Sequence, residues 1–326
     1  MISNFSLSTI VRRYTKAMST SALVAILFFL GLLLTSVRVQ AASLEIEKVA
    51  DGIYALVGEL GQRSPDNLGN NATFGVIVTD DGVVLIDSGG TEKGAAQIEE
   101  AIKSFTTKPV VMVINTGGQD HRWLGNGYFK RKGARIIASS DAVADQKTRF
   151  SEQLTMLENL VGTAGTTGTR DVYADETFTS SLDVNIGGKK IQLRHPGPAH
   201  TPGDSYVWLP KQKVVFTGDI VFVDRMLGIG SMSNSRSWMN AFEQIAALQP
   251  EYVVPGHGRA TTLKKARTDT YDYLATIRSK IRELVKSGGG ISKVGTIDQS
   301  QFQYLKNYDE LKGRNAERVF LELEWE

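Results

Sequence analysis

Three tight turns, each holding a metal-capable side chain just beyond an apolar run, constrain this chain more than any other feature. They are Gly197-Pro198-Ala199-His200-Thr201-Pro202-Gly203-Asp204, Phe216-Thr217-Gly218-Asp219 and Val254-Pro255-Gly256-His257-Gly258. Glycine supplies backbone freedom and proline a preset φ, so two imidazoles and a carboxylate stand on turns above rigid strands, as a metal site requires. The chain has four histidines, His121, His195, His200 and His257, and no cysteine. Disulfides, thiolate ligands and a cysteine nucleophile are thereby excluded, and any metal must be held by nitrogen and oxygen donors.

The apolar runs give the architecture. Ile53-Tyr54-Ala55-Leu56-Val57, Thr73-Phe74-Gly75-Val76-Ile77-Val78 and Gly82-Val83-Val84-Leu85-Ile86 are short β-branched and aromatic segments, and Thr79-Asp80-Asp81-Gly82 supplies a hairpin turn, so an antiparallel sheet opens the fold. Ile98, Ile102 and Phe105 fall at helical spacing before Pro109, and Val110-Val111-Met112-Val113-Ile114 reads as a buried strand running into a loop at Asn115. A helix from 141 to about 160 follows, then a strand pair near 184–193 and 206–208, and a strand at 213–216 that leads to Asp219. Trp238, Phe242, Ile245 and Leu248 mark a helix, Tyr252-Val253-Val254 a strand, and Leu274, Ile277, Ile281 and Leu284 the last long helix. Sheets in the middle with helices outside predict an α/β fold, an αβ/βα sandwich.

Together with Asp87 at the end of Val83-Val84-Leu85-Ile86, and with the loop from Asn115 to Asn126, these turns resemble the metallo-β-lactamase-fold hydrolases in order and spacing. The resemblance covers roughly residues 44–286 and implies the same four-layer sandwich. The phrase Gly-Pro-Ala-His-Thr-Pro-Gly-Asp and the terminal Asn315-Ala316-Glu317-Arg318-Val319-Phe320-Leu321-Glu322-Leu323-Glu324-Trp325-Glu326 resemble the exported branch associated with sulfur oxidation and quinoprotein systems. By resemblance, Asp219 corresponds to the carboxylate that bridges two metals, and Asp87 orients the metal loop without binding metal.

One motif departs from the family. Members carry His-x-His-x-Asp-His after this strand, whereas this loop reads Asn115-Thr116-Gly117-Gly118-Gln119-Asp120-His121-Arg122-Trp123-Leu124-Gly125-Asn126. If Asp120-His121 matches the family's Asp-His, Thr116 and Gly118 replace the two earlier histidines. The surviving ligands are then Asp120, His121, Asp219 and His257, and Arg122 points away. If the flanking Asn-Thr and Gly-Asn pairs align without a gap, the four ligand positions are Gly117, Gln119, His121 and Arg122. A permanent cation then stands where an imidazole belongs, opposing a metal or mimicking its charge by pairing with Asp219. The two alignments remain open, and both lose the usual pair of metals. We lean to the first, because an adjacent Asp-His pair is a poor candidate for accident. The expected function is an exported metal-dependent hydrolase using one ion, expected to be zinc, held by His121, His257 and Asp219 with Asp120 or His200 completing the shell. Asp120 is the catalytic candidate, and the substrate is an ester, thioester, lactam or similar small molecule. The alternative is a periplasmic pseudoenzyme or binding protein on the same scaffold. His195 is read as a surface or supporting histidine.

Residues 1–41 read as an export signal. Arg12, Arg13 and Lys16 precede an apolar stretch at 22–37, and Val39-Gln40-Ala41 offers small residues for cleavage. An uncleaved membrane anchor at 22–37 is the alternative. The segment carries four of the chain's 37 basic residues and none of its 35 acidic ones, leaving the remainder at a formal −2. Nothing in that balance asks for nucleic acid or an anionic membrane surface. Residues 44–286 are expected to form one domain. Beyond Ser287-Gly288-Gly289-Gly290, residues 287–326 are too short to fold alone and are expected to pack on it as an appendage.

Overall fold

The computed structural model describes residues 44–326. The export signal expected at 1–41, with its apolar stretch, lies outside the described residues. A first sheet has seven strands in chain order: β1 Glu45–Ala50, β2 Ile53–Val57, β3 Thr73–Val78, β4 Val83–Ile86, β5 Val110–Asn115, β6 Arg135–Ser139 and β7 Glu176–Phe178. β2 to β4 form the expected antiparallel sheet, β1, which the sequence reading did not include, extends it by one antiparallel strand, and β4 to β7 pair in parallel. A second sheet of five runs in the order β12 Tyr252–Val254, β11 Val214–Phe216, β10 Tyr206–Leu209, β9 Lys189–Arg194 and β8 Ser181–Ile186.

Alternation along the strands builds the layers, because successive side chains point to opposite faces. In β4, Val84 and Ile86 join Ile77, Ile114, Leu193, Val207 and Phe216 in the core between the sheets. Val83 and Leu85 face the other way, onto Ile98 and Ile102 of helix α1, Glu92–Lys103, and onto Phe129. The two sheets come so close that a Cβ on Gly75 would overlap the Phe216 ring. The outer face of the second sheet is covered by helices α4 Ser235–Ala247, α5 Asp272–Lys286 and α6 Tyr308–Leu323. Between α1 and these lie α2, Asp120–Trp123, and the long α3, Ser140–Val161. The result is the four-layer αβ/βα sandwich, apolar on both faces of each sheet.

The glycines after α5 end a helix. Gly288 adopts φ 75°, and the Gly289 N–H donates to Leu284 O at 2.9 Å, a six-to-one closure typical of a helix C-terminus. From there the chain returns through Val294, Phe302 and Leu305 to α6. Ala316, Val319, Phe320 and Leu323 share one buried cluster with Trp238, Phe242, Leu274 and Ile277.

Candidate metal centre

The elements converge at one end of the sandwich. Asp87 follows β4 with φ 66°, a left-handed conformation uncommon for a side-chain-bearing residue. Its carboxylate turns under the loop that follows β5, accepting from Thr116 N at 2.7 Å and Thr116 Oγ1 at 2.8 Å. Asn115 and Asn126 bracket that loop with reciprocal amide bonds of 3.0 and 2.9 Å. Between them, α2 presents Asp120, His121 and Arg122 on one turn. Consecutive helical positions diverge by about 100°, so the three side chains take separate directions. Asp219 sits in a 3-10 turn, Gly218–Ile220, just beyond β11. His257 follows β12 between Gly256 and Gly258, the latter at φ 98°.

His121, Asp219 and His257 are brought together, each buried, with one ligand atom apiece lying within 4.8 Å of the others. His121 Nε2 lies 3.2 Å from Asp219 Oδ2, and His257 Nε2 lies 3.2 Å from Asp219 Oδ1. Asp120 and His200 stand outside this group. Asp120 pairs with Arg63, accepts from the His121 N–H at 2.8 Å, and lies 3.1 Å from His121 Nδ1. His200 turns Nδ1 to Gly228 O at 2.9 Å and packs near the rings of Phe222 and Trp238.

Arg122 lies in the cleft, where the ungapped alignment puts it; the expectation that it points away is corrected. Its guanidinium is buried, and its donors reach Asp219 Oδ2 at 3.1 Å, Asp219 Oδ1 at 2.7 Å, Asp87 Oδ2 at 2.9 Å, Thr73 O at 3.2 Å and Gly256 O at 2.9 Å. Burial alone would raise the Asp219 carboxyl, but Arg122 and then His121 outweigh it and hold it well below the usual carboxylate range. Burial is likewise outweighed at Asp120, by Arg63 and His121.

The donor set fits one divalent ion. His257 Nδ1 lies 2.8 Å from the carbonyl of Asn71, which can only accept, so Nδ1 carries the proton. Burial, and then Arg225, push this imidazole well below its ordinary pKa, so it is neutral. Its Nε2 lone pair therefore faces the lone pairs of Asp219 Oδ1 across 3.2 Å, an arrangement that calls for a cation. His121 Nδ1 lies 3.1 Å from Asp120 Oδ1 and 2.8 Å from Arg63 Nη2; in the tautomer that turns Nδ1–H to Asp120, Nε2 is presented in the same way. Metal-bound histidines are commonly held through the other ring nitrogen by such a carbonyl or carboxylate.

Among the described residues no second set of metal-capable side chains comes together. A Cβ on Gly118 would overlap Asp145 Oδ2, and one on Gly117 would lie 2.5 Å from Asp204 Oδ1, so the space that histidine side chains would need is filled. Thr116 spends its hydroxyl on Asp87, and Gln119 donates to Asp120. His200 is left without companion ligands. Burial, partly opposed by Asp219, lowers its pKa to about 4. His195 bonds Asp204 O at 2.7 Å, away from the centre.

The centre opens into a cavity of about 500 Å³ lined by His121, His200 and His257, by Arg63, Arg149 and Arg225, and by Phe222 and Met232. A larger one, about 600 Å³, lies under α5 and the C-terminal residue Glu326, away from these histidines. Arg63 and Arg225 gave no sequence signal, being single arginines in irregular segments; only the fold sets them beside the histidines.

The whole arrangement, two-sheet sandwich and strand-end site, is that of a metallohydrolase. The chain belongs to the metallo-beta-lactamase superfamily, whose family model matches residues 69–257. It is 26% identical over 222 residues to a metallo-beta-lactamase type 2 from Elizabethkingia meningoseptica, covering 67% of this chain and 80% of that protein. It is 27% identical over 181 residues to the 2,4-dinitroanisole O-demethylase subunit alpha of Nocardioides sp. (strain JS1661), covering 55% of this chain and 50% of that one. Among solved structures, a metallo-beta-lactamase from Pontibacter korlensis superposes with a TM-score of 0.58 at 20% identity, over 72% of this chain and 99% of that one. A sec-alkyl sulfatase superposes with a TM-score of 0.66 at 16% identity, over 85% and 50%. At these identities the structural likeness speaks for the fold.

Proposed function

We propose that the protein is an exported hydrolase that works with a single metal ion, expected to be zinc, held by His121, His257 and Asp219. One observation carries this reading: the neutral His257, its Nδ1–H fixed on Asn71 O, turns a lone pair toward Asp219 Oδ1 at 3.2 Å. A bound ion of this kind supplies Lewis acidity and lowers the pKa of water to about 7. The chain's own residues do the rest. Asp120 holds His121 in the tautomer that frees Nε2, Arg122 neutralises the remaining lone pairs of Asp219, and His200 offers the cavity a neutral acceptor at Nε2. The substrate is an ester, thioester, lactam or similar small molecule. The relatives' names include lactamases and an O-demethylase, which is compatible with this range and narrows it no further.

Elemental analysis of the dialysed protein tests the reading. About one equivalent of metal per chain is expected, with the affinity falling by orders of magnitude and the metal lost in His257→Ala, and the content unchanged in His195→Ala; less than about a tenth of an equivalent in the parent overturns it. The second reading is a binding protein without metal. It is favoured by the 2.8 Å contact between Arg63 Nη2 and His121 Nδ1, because a lone pair on Nδ1 would leave Nε2–H to donate to Asp219. Export is supported by the order of charged, apolar and small residues over 1–41, and mass spectrometry should find a mature terminus at or near Ala42.

A further inference from the structure

The cavity in front of the centre carries a cation with no acid to match it. Arg225 is 8% exposed and has no carboxylate within ion-pair distance among the described residues. Its Nη1 lies 3.1 Å from His257 Nδ1, but that nitrogen already donates to Asn71 O, so donor faces donor. Its Nε has no hydrogen-bond partner at all. A buried, unsatisfied guanidinium costs free energy unless something accepts from it, and this one lines the cavity.

The surrounding charges point the same way. Arg63, Arg122 and Arg225 are balanced by Asp87, Asp120 and Asp219, so the fixed charge of the centre is zero, and a divalent ion would make it +2. Arg149, paired with Asp145, and the exposed Arg314 add cations to the wall, against the single exposed carboxylate of Glu152. Apolar groups share the lining: Phe222 is buried against the His257 ring, and Met156 and Met232, 38% and 40% exposed, line the cavity with Leu160 and Leu311.

We propose that this cavity takes an amphiphilic organic anion as substrate: an oxyanion head received by Arg225 and Arg63 beside His121 and His257, and an apolar body laid along Phe222, Met156 and Met232. Guanidinium groups suit this task because their planar donors match the oxygens of carboxylate, sulfate and phosphate alike. The inference rests on the hydrolase reading, since it sets the anion beside the same centre.

Calorimetric titration at constant ionic strength tests it with three probes: benzoate, acetate and the neutral benzamide. Benzoate should bind saturably, at least tenfold tighter than acetate and with benzamide weaker still. Arg225→Gln should weaken benzoate at least tenfold at unchanged metal content. Met232→Glu, at an exposed position that leaves the buried network intact, should weaken benzoate severalfold and more than it weakens benzamide, which keeps the test open should Arg225→Gln fold poorly. Equal binding of benzoate and benzamide, equal binding of acetate and benzoate, or indifference to both variants overturns the proposal. Metal content is read on the same samples. Selective benzoate binding without metal would sink the hydrolase reading alone, whereas metal without anion selectivity would sink this one alone.

Discussion

Replacing Arg122 with methionine removes the cation on which two buried carboxylates depend. The guanidinium has five N–H donors, and the five contacts to Asp219, Asp87, Thr73 O and Gly256 O, at 2.7 to 3.2 Å, use the donor set fully. Methionine keeps much of the stem's packing but leaves Asp87 and Asp219, each 1% exposed, without a counter-charge. Breaking a buried pair in this way costs about 3–5 kcal/mol, because the orphaned charge stays desolvated. At roughly 2–4 °C per kcal/mol for a domain of this size, the melting temperature of chelator-treated protein should fall by between about 6 and 20 °C. Two further readings follow from the same cause. Without Arg122 the carboxyl pKa values rise, so the deficit should narrow as the pH is lowered and the pair takes up protons. Added zinc should also stabilise the variant more than the parent, by occupying oxygens that Arg122 no longer holds. Arg122→Lys restores charge without the planar fork and should recover only part of the loss. A deficit below about 1 kcal/mol in metal-free protein would refute the reasoning, since another cation would have to be neutralising Asp219.

Asp120→Asn should weaken metal binding by about 10–100-fold while the fold persists, measured by competition with a chromophoric chelator; unchanged affinity would mean that Asp120 does not set the His121 tautomer. Gly75→Ala drives a methyl into the Phe216 ring and to 3.0 Å from Ile86 Cβ, so it should cost about 1–3 kcal/mol in urea denaturation, and Phe216→Leu in the same chain should return part of it. Burial, and then Asp219, raise the Asp204 carboxyl to about 8 from 3.8. A folded pKa above the unfolded one gives stability that is present below about pH 4 and lost as pH climbs through 8. The Asp204→Asn variant should therefore gain on its parent from pH 5 to pH 9, and a constant difference across that range would contradict the raised pKa.

The layers were legible because their cause is local. Runs such as Val83-Val84-Leu85-Ile86 and Val110-Val111-Met112-Val113-Ile114 are apolar at every position because each strand is covered on both faces. The turn chemistry around His200, Asp219 and His257 could be read for the same reason. The direction of Arg122 could not be read, because Asp120, His121 and Arg122 share one helical turn and only the position of that turn over Asp219 decides which side chain enters the cleft. Trp238 falls at helical spacing with Phe242 and Ile245, and all three are fully buried. Arg63 and Arg225 approach from segments 162 positions apart in sequence, and neither segment has a pattern to announce them. The C-terminal residues Val319, Leu321 and Leu323 alternate in sequence, yet α6 buries Val319, Phe320 and Leu323 and leaves Leu321 exposed, since helical rather than alternating spacing meets the core.

That C-terminal segment also shapes the cavity. Asp224, at φ 59°, begins the turn that carries Arg225, and the turn is held from outside the sandwich: Lys306 N donates to Asp224 O and Met226 N to Lys306 O, each at 2.9 Å. Farther along, the buried amide of Asn315 donates to Leu227 O at 2.8 Å and accepts from Ile229 N at 2.8 Å. These bonds fix the backbone on both sides of Arg225, and Leu311 and Arg314 from the same helix line the cavity wall. A lone guanidinium can sit beside a neutral histidine only if its backbone cannot retreat, because the unsatisfied donor would otherwise swing toward water. Asn315→Ala therefore acts on the cavity through the Arg225 turn. It removes those two buried hydrogen bonds and a third, from the Asn315 amide to the Tyr273 hydroxyl at 3.0 Å, worth about 1 kcal/mol each, and it should loosen benzoate binding more than it alters metal content, whereas a purely structural appendage would lower stability and leave the ratio of benzoate to benzamide affinity as it was.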